Sequence, residues 1–515
     1  MAASSPVAMK KTLTLTGLTI NAMALIAPGA FLWTTFQAQA VQSNGGATTA
    51  YDMVPGLLFV LVLAFLTAYS YAELSNLYPE AGAGSSYYFA EAAFLDKESA
   101  AHYRFARLAK FVVGWVSHLY YWIYPGIMVA FTGTLTVYIL GLLGVALSTP
   151  LEIGAAVAFA LVTGLIAYRG ISGSTLTAIV INAIQLTALV AFSVLAIAYR
   201  LTHPELQYAQ SSLVAVVLPH NFTNVLFQGT IAILLLVGFE SVTALGAEAI
   251  NPKRDVRRAV LLSLAIQGAF AYVLEYVAAN FFVNDSLTAT ATGAGGASTT
   301  VHGYAAAAAS GAPIGDMIRM IGNTMLGGTG TVLALILAAT VLVALIGTTL
   351  ACLNTGVRIT YVMGRDREMP SLFGLLHHRH ATPHYGVVVL TVCSALLGAY
   401  GVLSADNLLQ ITLASNTGTF LVYGMTNAIA LVAFAARPGR SIGKHVVIPL
   451  VGLVANIAML LAVMLESLTA GGSTQRDTVI ALVIVAAWIA VGAGWLMWNS
   501  ASSKRAILVG LHADG

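Results

Sequence analysis

Charged residues are scarce in this sequence. Only 8% of its 515 residues are Asp, Glu, Lys or Arg, and 58% are hydrophobic, whereas soluble domains carry about 25% charged residues. This composition excludes an ordinary soluble protein and indicates a polytopic membrane protein. Cysteine is scarce too: Cys352 and Cys393 lie in apolar stretches without metal-ligand spacing. Neither a disulfide framework nor a cysteine metal site is indicated.

The sequence also has little that an enzyme would need. We find no paired catalytic carboxylates, no metal-ligand cluster and no nucleophile beside a base. We therefore expect no enzymatic activity and no cofactor other than a possible coupling ion, sodium or a proton. The expected partners are a small-molecule substrate and membrane lipid but no nucleic acid, and the oligomeric state stays open.

Long apolar segments dominate what is present. About twelve are long enough to cross a hydrocarbon core of about 30 Å, which predicts an all-α integral membrane fold. We place them at 17–40, 54–78, 108–141, 150–168, 174–200, 226–249, 258–283, 328–363, 386–403, 407–435, 446–468 and 478–498. The region from Gly141 to Pro150 could be over-split or under-split. The first segment is too long and too polar in its middle for a cleaved signal peptide.

The basic residues predict the orientation, because cytoplasmic loops retain positive charge during insertion. If the N-terminus is inside, 20 of the 23 Lys and Arg residues fall on the cytoplasmic side, and only Arg200, Arg319 and Arg476 fall outside. We therefore expect both termini to be cytoplasmic and the protein to lie in the plasma (inner) membrane. The stretch of about 284–327 should be an outer loop with a short helix near Pro313.

Two of the apolar segments contain short breaks, Ile26-Ala27-Pro28-Gly29-Ala30 and Gly238-Phe239-Glu240-Ser241. Proline removes a helical hydrogen bond, and glycine adopts backbone angles that other residues resist. Released backbone groups at membrane depth are tolerated where they face protein, a ligand or a water-filled cavity. Two such breaks predict a binding site for a small polar solute.

Several short strings of residues resemble one protein family when taken together. They are Tyr71-Ala72-Glu73-Leu74, Tyr78-Pro79-Glu80-Ala81-Gly82 with Tyr87-Tyr88, Gly238-Phe239-Glu240-Ser241 with Ala247-Glu248 and Asn251-Pro252-Lys253-Arg254, Arg358 with Arg365-Asp366 and Met369-Pro370, and Thr382-Pro383. In this order and spacing the chain resembles the amino acid/polyamine/organocation (APC) transporters over most of its length.

The resemblance implies a LeuT-type fold, in which five helices are followed by an inverted repeat of five and two extra helices. The boundaries would be a cytoplasmic tail at 1–16, repeats at 17–200 and 201–435, the extra helices at 436–498 and a second cytoplasmic tail at 499–515. The segments that carry the two breaks then become helices 1 and 6 of this scheme.

The breaks predict how a substrate would be held. Amides following Pro28, at Gly29, Ala30 and Phe31, suit a carboxylate, and carbonyls near Ala27, Val237 and Gly238 suit an ammonium. An amino acid or related amine carries both groups. We expect valine in place of Gly29 to abolish binding by blocking close approach of the ligand.

Side chains near the breaks are further candidates for contacting the substrate. The resemblance implies that Glu240 braces the helix 6 break through backbone hydrogen bonds, and direct substrate contact is the alternative. Phe239 is a candidate lid or a core residue. Tyr121 and Tyr124 share a helix face and could contact the substrate, and Leu234 stands near where arginine-exchanging relatives carry a tryptophan.

The coupling ion is the least determined feature. Where proton-coupled relatives carry a lysine in helix 5 this chain has Gln185, which cannot ionise. Thr348 and Thr349 fall where sodium-coupled members of the wider fold bind sodium, and hydroxyl oxygens suit a hard cation. Hydrogen bonding of these threonines to their own helix is the alternative. His118 could carry a proton or be a structural histidine.

Together these features predict a secondary active transporter of an amino acid or related amine that works by alternating access. A polyamine or organocation exchanger and a transporter-like ligand sensor remain alternatives.

Overall fold

The computed structural model describes residues 11–79, 84–95, 105–170, 175–292, 298–435 and 437–508. Several predicted features lie outside this part: the motif residues Glu80, Ala81 and Gly82, the basic residues Lys10, Lys97 and Arg104, loop residues 293–297, and both chain ends. For Pro28, Phe31 and Ala247 only the backbone is considered.

Helices make up most of the described chain. They are α1 (Leu15–Ile26), α2 (Pro28–Val41), α3 (Met53–Leu77), α4 (Ser86–Leu95), α5 (Ala106–Leu142), α6 (Thr149–Tyr168), α7 (Thr175–Thr202), α8 (Phe222–Ala232), α9 (Pro252–Val277), α10 (Gly303–Ala309), α11 (Pro313–Met325), α12 (Gly330–Arg365), α13 (His384–Gly401), α14 (Ala405–Phe434), α15 (Ile448–Thr469) and α16 (Gly472–Ser503). Short 3₁₀-helical segments cover Ile233–Leu235 and Phe239–Glu248 after α8, and a π-helical turn covers Ala278–Phe282 after α9.

The number of membrane spans differs slightly from the prediction. Within the described residues ten helical segments are long and apolar enough to cross a membrane, and Phe222–Leu235 with Phe239–Gly246 forms an eleventh, bent by 43°. The predicted first span consists of α1 and α2, which are 12 and 14 residues long. Each is too short to cross alone, so twelve spans result only if this pair is counted as one broken span.

Two boundaries clarify the sequence prediction. The region from Gly141 to Pro150 separates two helices, because α5 ends at Leu142 and α6 begins at Thr149. Helix α9 begins at Pro252, ahead of the predicted residue 258, and proline is favoured at a first helical position because it has no N–H to donate. Lys253 to Arg258 therefore belong to the helix and not to the preceding loop.

The two ends of the helical bundle differ. At one end, which we call the termini end, Leu13 near the N-terminus pairs with Ala249, and Arg107 donates to the carbonyls of Arg505 and Ala506 near the C-terminus. The opposite hairpin end carries β3 (Thr288–Thr292) paired with β4 (Ser298–His302), and a smaller pair, β1 (Ser43–Asn44) and β2 (Ala47–Thr48). The predicted outer loop contains the β3–β4 hairpin, which was not predicted from the sequence, and its predicted short helix is α11.

Candidate functional site

The two predicted breaks lie against each other in the middle of the bundle. Helix α1 ends just before Ala27, whose φ of 30° is in the left-handed region. The second break centres on Gly238, whose φ is 132°. A Cβ atom on Gly238 would come within 2.9 Å of the Leu25 Cγ and 3.0 Å of the Ile26 backbone nitrogen. Both the backbone angle and the close approach thus require glycine at this position.

One side chain replaces the backbone bond that the first break removes, and another adds a hydrogen bond to the preceding carbonyl. Because Pro28 has no N–H, the carbonyl of Ala24 lacks its normal helical donor. The Thr348 hydroxyl in α12 donates to this carbonyl over 2.9 Å, and the Gln267 amide in α9 donates to the Met23 carbonyl over 3.1 Å. Gln267 also donates to Asn182 in α7 over 2.9 Å. Three helices therefore hold the end of α1.

Two predictions for the start of α2 need correction. The amide of Ala30 is not free, because it donates to the Ala27 carbonyl over 3.0 Å. The open side of Gly29 faces α7: an added Cβ would lie 2.9 Å from Leu189 Cδ2 and 3.1 Å from Gln185 Nε2. Valine at position 29 would therefore collide with α7, and loss of binding in that variant would say nothing about ligand approach.

The second break leaves backbone acceptors unused. No hydrogen bond from the described residues reaches the carbonyls of Leu236 and Val237, and Val237 is fully buried. Buried carbonyls without partners are rare in native proteins. The two carbonyls are therefore candidate acceptors for a bound hydrogen-bond donor.

Glu240 supports this break directly. Its carboxylate accepts hydrogen bonds from the Gly238 amide over 3.1 Å, from the Tyr423 hydroxyl over 2.9 Å and from the Tyr121 hydroxyl over 3.2 Å. The bracing arrangement is therefore present. With these donors in place the carboxylate is already well satisfied, although direct contact with a substrate stays a prediction.

The remaining aromatic candidates are packed into the core. Phe239 is fully buried between Tyr423 and Tyr71, with ring centroids 5.3 Å and 6.1 Å away. Tyr124 is likewise buried, and Leu234 is only 1% exposed. In this conformation Phe239 is a core residue and does not cover an opening.

The predicted coupling residues have different environments. His118 uses both ring nitrogens, one against the Gly114 carbonyl at 2.7 Å and the other against the Thr360 hydroxyl at 2.9 Å, which fits a neutral structural histidine. Thr349 donates to Leu345 within its own helix. Gln185 is buried near Gly29, and its amide nitrogen has no partner among the described residues.

A small cavity of about 40 Å³ lies between α2, α5, α8 and α14, towards the hairpin end. Its walls include Thr34, Thr35, Phe131, Leu234 and Leu408. The hydroxyls of Thr34 and Thr35 have no hydrogen-bond partner among the described residues. The cavity has room for only a few water molecules, so it would have to widen before a solute could pass.

The termini end is closed by contacts that involve residues of the short sequence strings that resemble the family. Glu248 forms an ion pair with Arg358 at 2.6 Å, and its carbonyl accepts from the amides of Thr12 and Leu13 at 2.9 Å each. Glu73 pairs with Arg257 at 2.6 Å. The strings that are far apart in sequence thus meet at one face of the bundle.

Sequence reasoning missed several of these residues. Gln267 and Asn182 gave no signal beyond being polar residues in apolar helices, although that alone marks a position worth testing. Thr34 and Thr35 follow the first break by two turns and could have been found as adjacent hydroxyls in a half-helix. The partner of Thr348 could not be found, because it lies 324 residues away in the chain.

Comparisons with known proteins agree with this architecture. The sequence pattern of the family described as amino acid permease matches residues 18–507. The branched-chain amino acid permease BcaP of Lactococcus lactis is 26% identical over 250 residues, which cover 47% of this chain and 45% of that protein. The aligned part is thus less than half of that relative's length.

Two relatives from Bacillus subtilis align over more of the chain. Its branched-chain amino acid permease BcaP is 24% identical over 417 residues, 77% of each chain. Its methylthioribose transporter is 22% identical over 409 residues, which cover 76% of this chain and 77% of that protein.

The broken helices meeting at a buried site, the many apolar helices and the family match across nearly the whole chain lead to one conclusion. The chain belongs to the amino acid permease family of the APC superfamily, and it is a multi-pass integral membrane protein.

Proposed function

We propose that this transporter carries an amino acid with an apolar side chain, bound where the two broken helices meet. The observation that carries this proposal is the pair of unused carbonyls at Leu236 and Val237, beside the end of α1. An ammonium group would donate to such carbonyls without needing a buried carboxylate. The amide of Gly29, in the first turn of α2, is the nearest candidate donor for the carboxylate.

The surroundings favour an apolar side chain on the substrate. Leu25, Leu234 and Phe239 are buried around the breaks, and they offer no charge. Glu240 is already occupied by three donors. The names of two relatives, both branched-chain amino acid permeases, point in the same direction.

The alternatives fit less well. A polyamine or organocation would need acidic groups for two or more positive charges, and Glu240 is the one acidic residue at the breaks within the described residues. Methylthioribose, named for one relative, has hydroxyls in place of an ammonium and a carboxylate. A ligand sensor would bind the same solute without moving it, and uptake measurements separate the two.

We further propose that transport proceeds by alternating access. The contacts of Glu248 with Arg358 and with Thr12 and Leu13 close the termini end, and the cavity of about 40 Å³ beside Leu234 is too small for an amino acid to pass from the hairpin end to the breaks. A closed state of this kind is the intermediate that alternating access requires. One end must then open while the other stays sealed.

We propose sodium as the first candidate for a coupling ion, with a proton on His118 or Glu240 as the alternative. The Thr348 hydroxyl lies 2.9 Å from the Ala24 carbonyl and 3.0 Å from the Ala344 carbonyl. If the hydroxyl donates to Ala344, its lone pairs and the Ala24 carbonyl are both available to a cation. Hydroxyl and carbonyl oxygens are the ligands that hard cations prefer, so these residues fit such a site.

The test is uptake of radiolabelled leucine, isoleucine and valine into proteoliposomes, with putrescine and methylthioribose as competitors. We expect the branched-chain amino acids to accumulate and the other two compounds not to compete. Inhibition by putrescine alone, or binding without uptake, would contradict the proposal. Repeating uptake with an imposed sodium or proton gradient identifies the ion, because only the coupling gradient drives accumulation.

A further inference from the structure

A groove of about 460 Å³ opens between α3 and α9 at the termini end. Its walls are Asn76 of α3 and, from the start of α9, Lys253, Arg254, Arg257, Arg258 and Leu261. We call this the basic groove. It is separate from the broken helices, and its volume falls within the range of about 300–1,000 Å³ that is typical of small-molecule sites.

Two of the four basic side chains in the basic groove have acidic partners among the described residues, and two do not. Arg257 pairs with Glu73 at 2.6 Å, and Arg254 pairs with Asp255 at 2.9 Å. Lys253 and Arg258 have no acidic partner among the described residues, and both side chains are exposed. Within the described part of the chain, the groove therefore presents two cations, Lys253 and Arg258, that are not paired with a carboxylate.

The surface next to the groove is apolar and faces outward. Along α9, Leu262, Ile266 and Val273 are 43%, 37% and 48% exposed. Because α9 crosses the membrane, this strip is where acyl chains would lie. A molecule that fits both surfaces must have an anionic head and a long apolar tail, and it must come from the bilayer.

We propose that the basic groove binds the phosphate headgroup of an anionic phospholipid whose acyl chains run along the exposed strip of α9. Basic pockets between membrane helices bind such headgroups, at about 1 kcal/mol for each Lys or Arg near the surface. Lys253 and Arg258 contact the phosphate, and Asn76 supplies an amide donor. Arg257 stays paired with Glu73 and forms the inner wall.

The bound lipid stabilises the contact between α9 and α3. Arg257 already joins the two helices through Glu73, and Glu73 also lies 3.4 Å from His445, which lies three residues before α15. Lipid binding therefore strengthens the contact between α3 and α9, which is part of the closed termini end. Since Gln267 of the same helix holds Met23, the lipid also favours the position of α1 seen here.

The experiment measures lipid retention by the full-length protein. Protein from nanodiscs of phosphatidylcholine mixed with phosphatidylglycerol is transferred to detergent, and bound lipid is quantified by native mass spectrometry. We expect selective retention of phosphatidylglycerol. The affinity for phosphatidylglycerol should fall about 5-fold in Lys253→Gln or Arg258→Gln and about 30-fold in the double variant. These factors correspond to about 1 kcal/mol for each charge that is removed.

The matched control is the double variant Lys444→Gln, Arg379→Gln, which removes the same net charge from exposed residues at the termini end but outside the groove. It should retain phosphatidylglycerol as the parent protein does, and Lys253→Arg should also do so because it keeps the charge. Equal retention by the groove double variant and the control would overturn the proposal. So would equal retention of phosphatidylcholine and phosphatidylglycerol by the parent protein.

Discussion

At the scale of single residues, the molecule compensates locally for a proline in a membrane helix. Pro28 leaves the Ala24 carbonyl without a helical donor, and Thr348 supplies one from another helix. Thr349, the next residue, donates only to Leu345, whose carbonyl keeps the Thr349 amide as a helical partner. Adjacent threonines in the same helix therefore have very different importance.

Replacing Thr348 with valine should destabilise the protein by about 1–2 kcal/mol, because a buried carbonyl loses its donor. Replacing Thr349 with valine should cost less than about 0.5 kcal/mol, since it leaves no backbone group unpaired. Both side chains are fully buried, so the two variants are matched in exposure. Thermal unfolding in detergent compares them, and equal losses of stability would contradict the assigned role.

The same residues show what sequence could and could not predict. Pro28 next to Gly29, and Gly238 before Phe239, have backbone properties that are intrinsic to these residue types, so both breaks could be predicted. The donor that repairs the first break comes from α12, and a supporting donor comes from α9. No local pattern indicates which polar residue will face a given carbonyl. The orientation of Gly29 towards α7 depends on helix rotation, which the apolar segments do not determine.

At the scale of helices, closure of the termini end depends on contacts between elements. The turn at Phe239–Glu248 is tied to α12 by Arg358, which pairs with Glu248 and also donates to the Ala244 carbonyl at 3.4 Å. At the hairpin end Arg476 pairs with Asp406, joining α16 to α14. These two bridges fasten opposite ends of the bundle.

Replacing Arg358 with glutamine should make the termini end open more often. In a Cys393→Ala background carrying Ala244→Cys, we expect faster labelling by a thiol reagent applied from the termini side. The expected factor is about 1.5- to 5-fold, which corresponds to the roughly 0.2–1 kcal/mol typical of partly exposed ion pairs. Arg476→Gln is the control at the other end and should leave this labelling unchanged. If both variants respond equally, Arg358 is not specific to this closure.

At the scale of the whole molecule, composition and apolar segment length were enough to predict an all-helical membrane protein, and the two breaks with the family resemblance predicted a transporter. The fold class follows from the need to satisfy backbone hydrogen bonds in lipid, which leaves few architectures for so apolar a chain. The proposed division into repeats at 17–200 and 201–435 stays a prediction, as does the position of both termini in the cytoplasm.

The orientation can be tested with exposed serines on the two faces. Ser298 begins β4, and Ser502 lies near the end of α16. In intact cells a membrane-impermeant maleimide should label Ser298→Cys and not Ser502→Cys, because the positive charge is concentrated at the termini end. Cys393 is removed first, since it is partly exposed, whereas Cys352 is buried. Labelling of Ser502→Cys without cell lysis would reverse the orientation.

Helix α9 touches both sides of the first break, through Gln267 on the Met23 carbonyl and through Glu275, which accepts from Gln39 of α2 over 3.1 Å. Helix α9 therefore holds the chain on both sides of the break at Ala27, with one hydrogen bond to α1 and one to α2. Tilting α1 would strain the contact of Gln267 with Met23 and leave the contact of Gln39 with Glu275 intact. Tilting α2 would do the reverse. If α1 and α2 move at separate times during transport, opening both ends of the molecule at once would require both contacts to break.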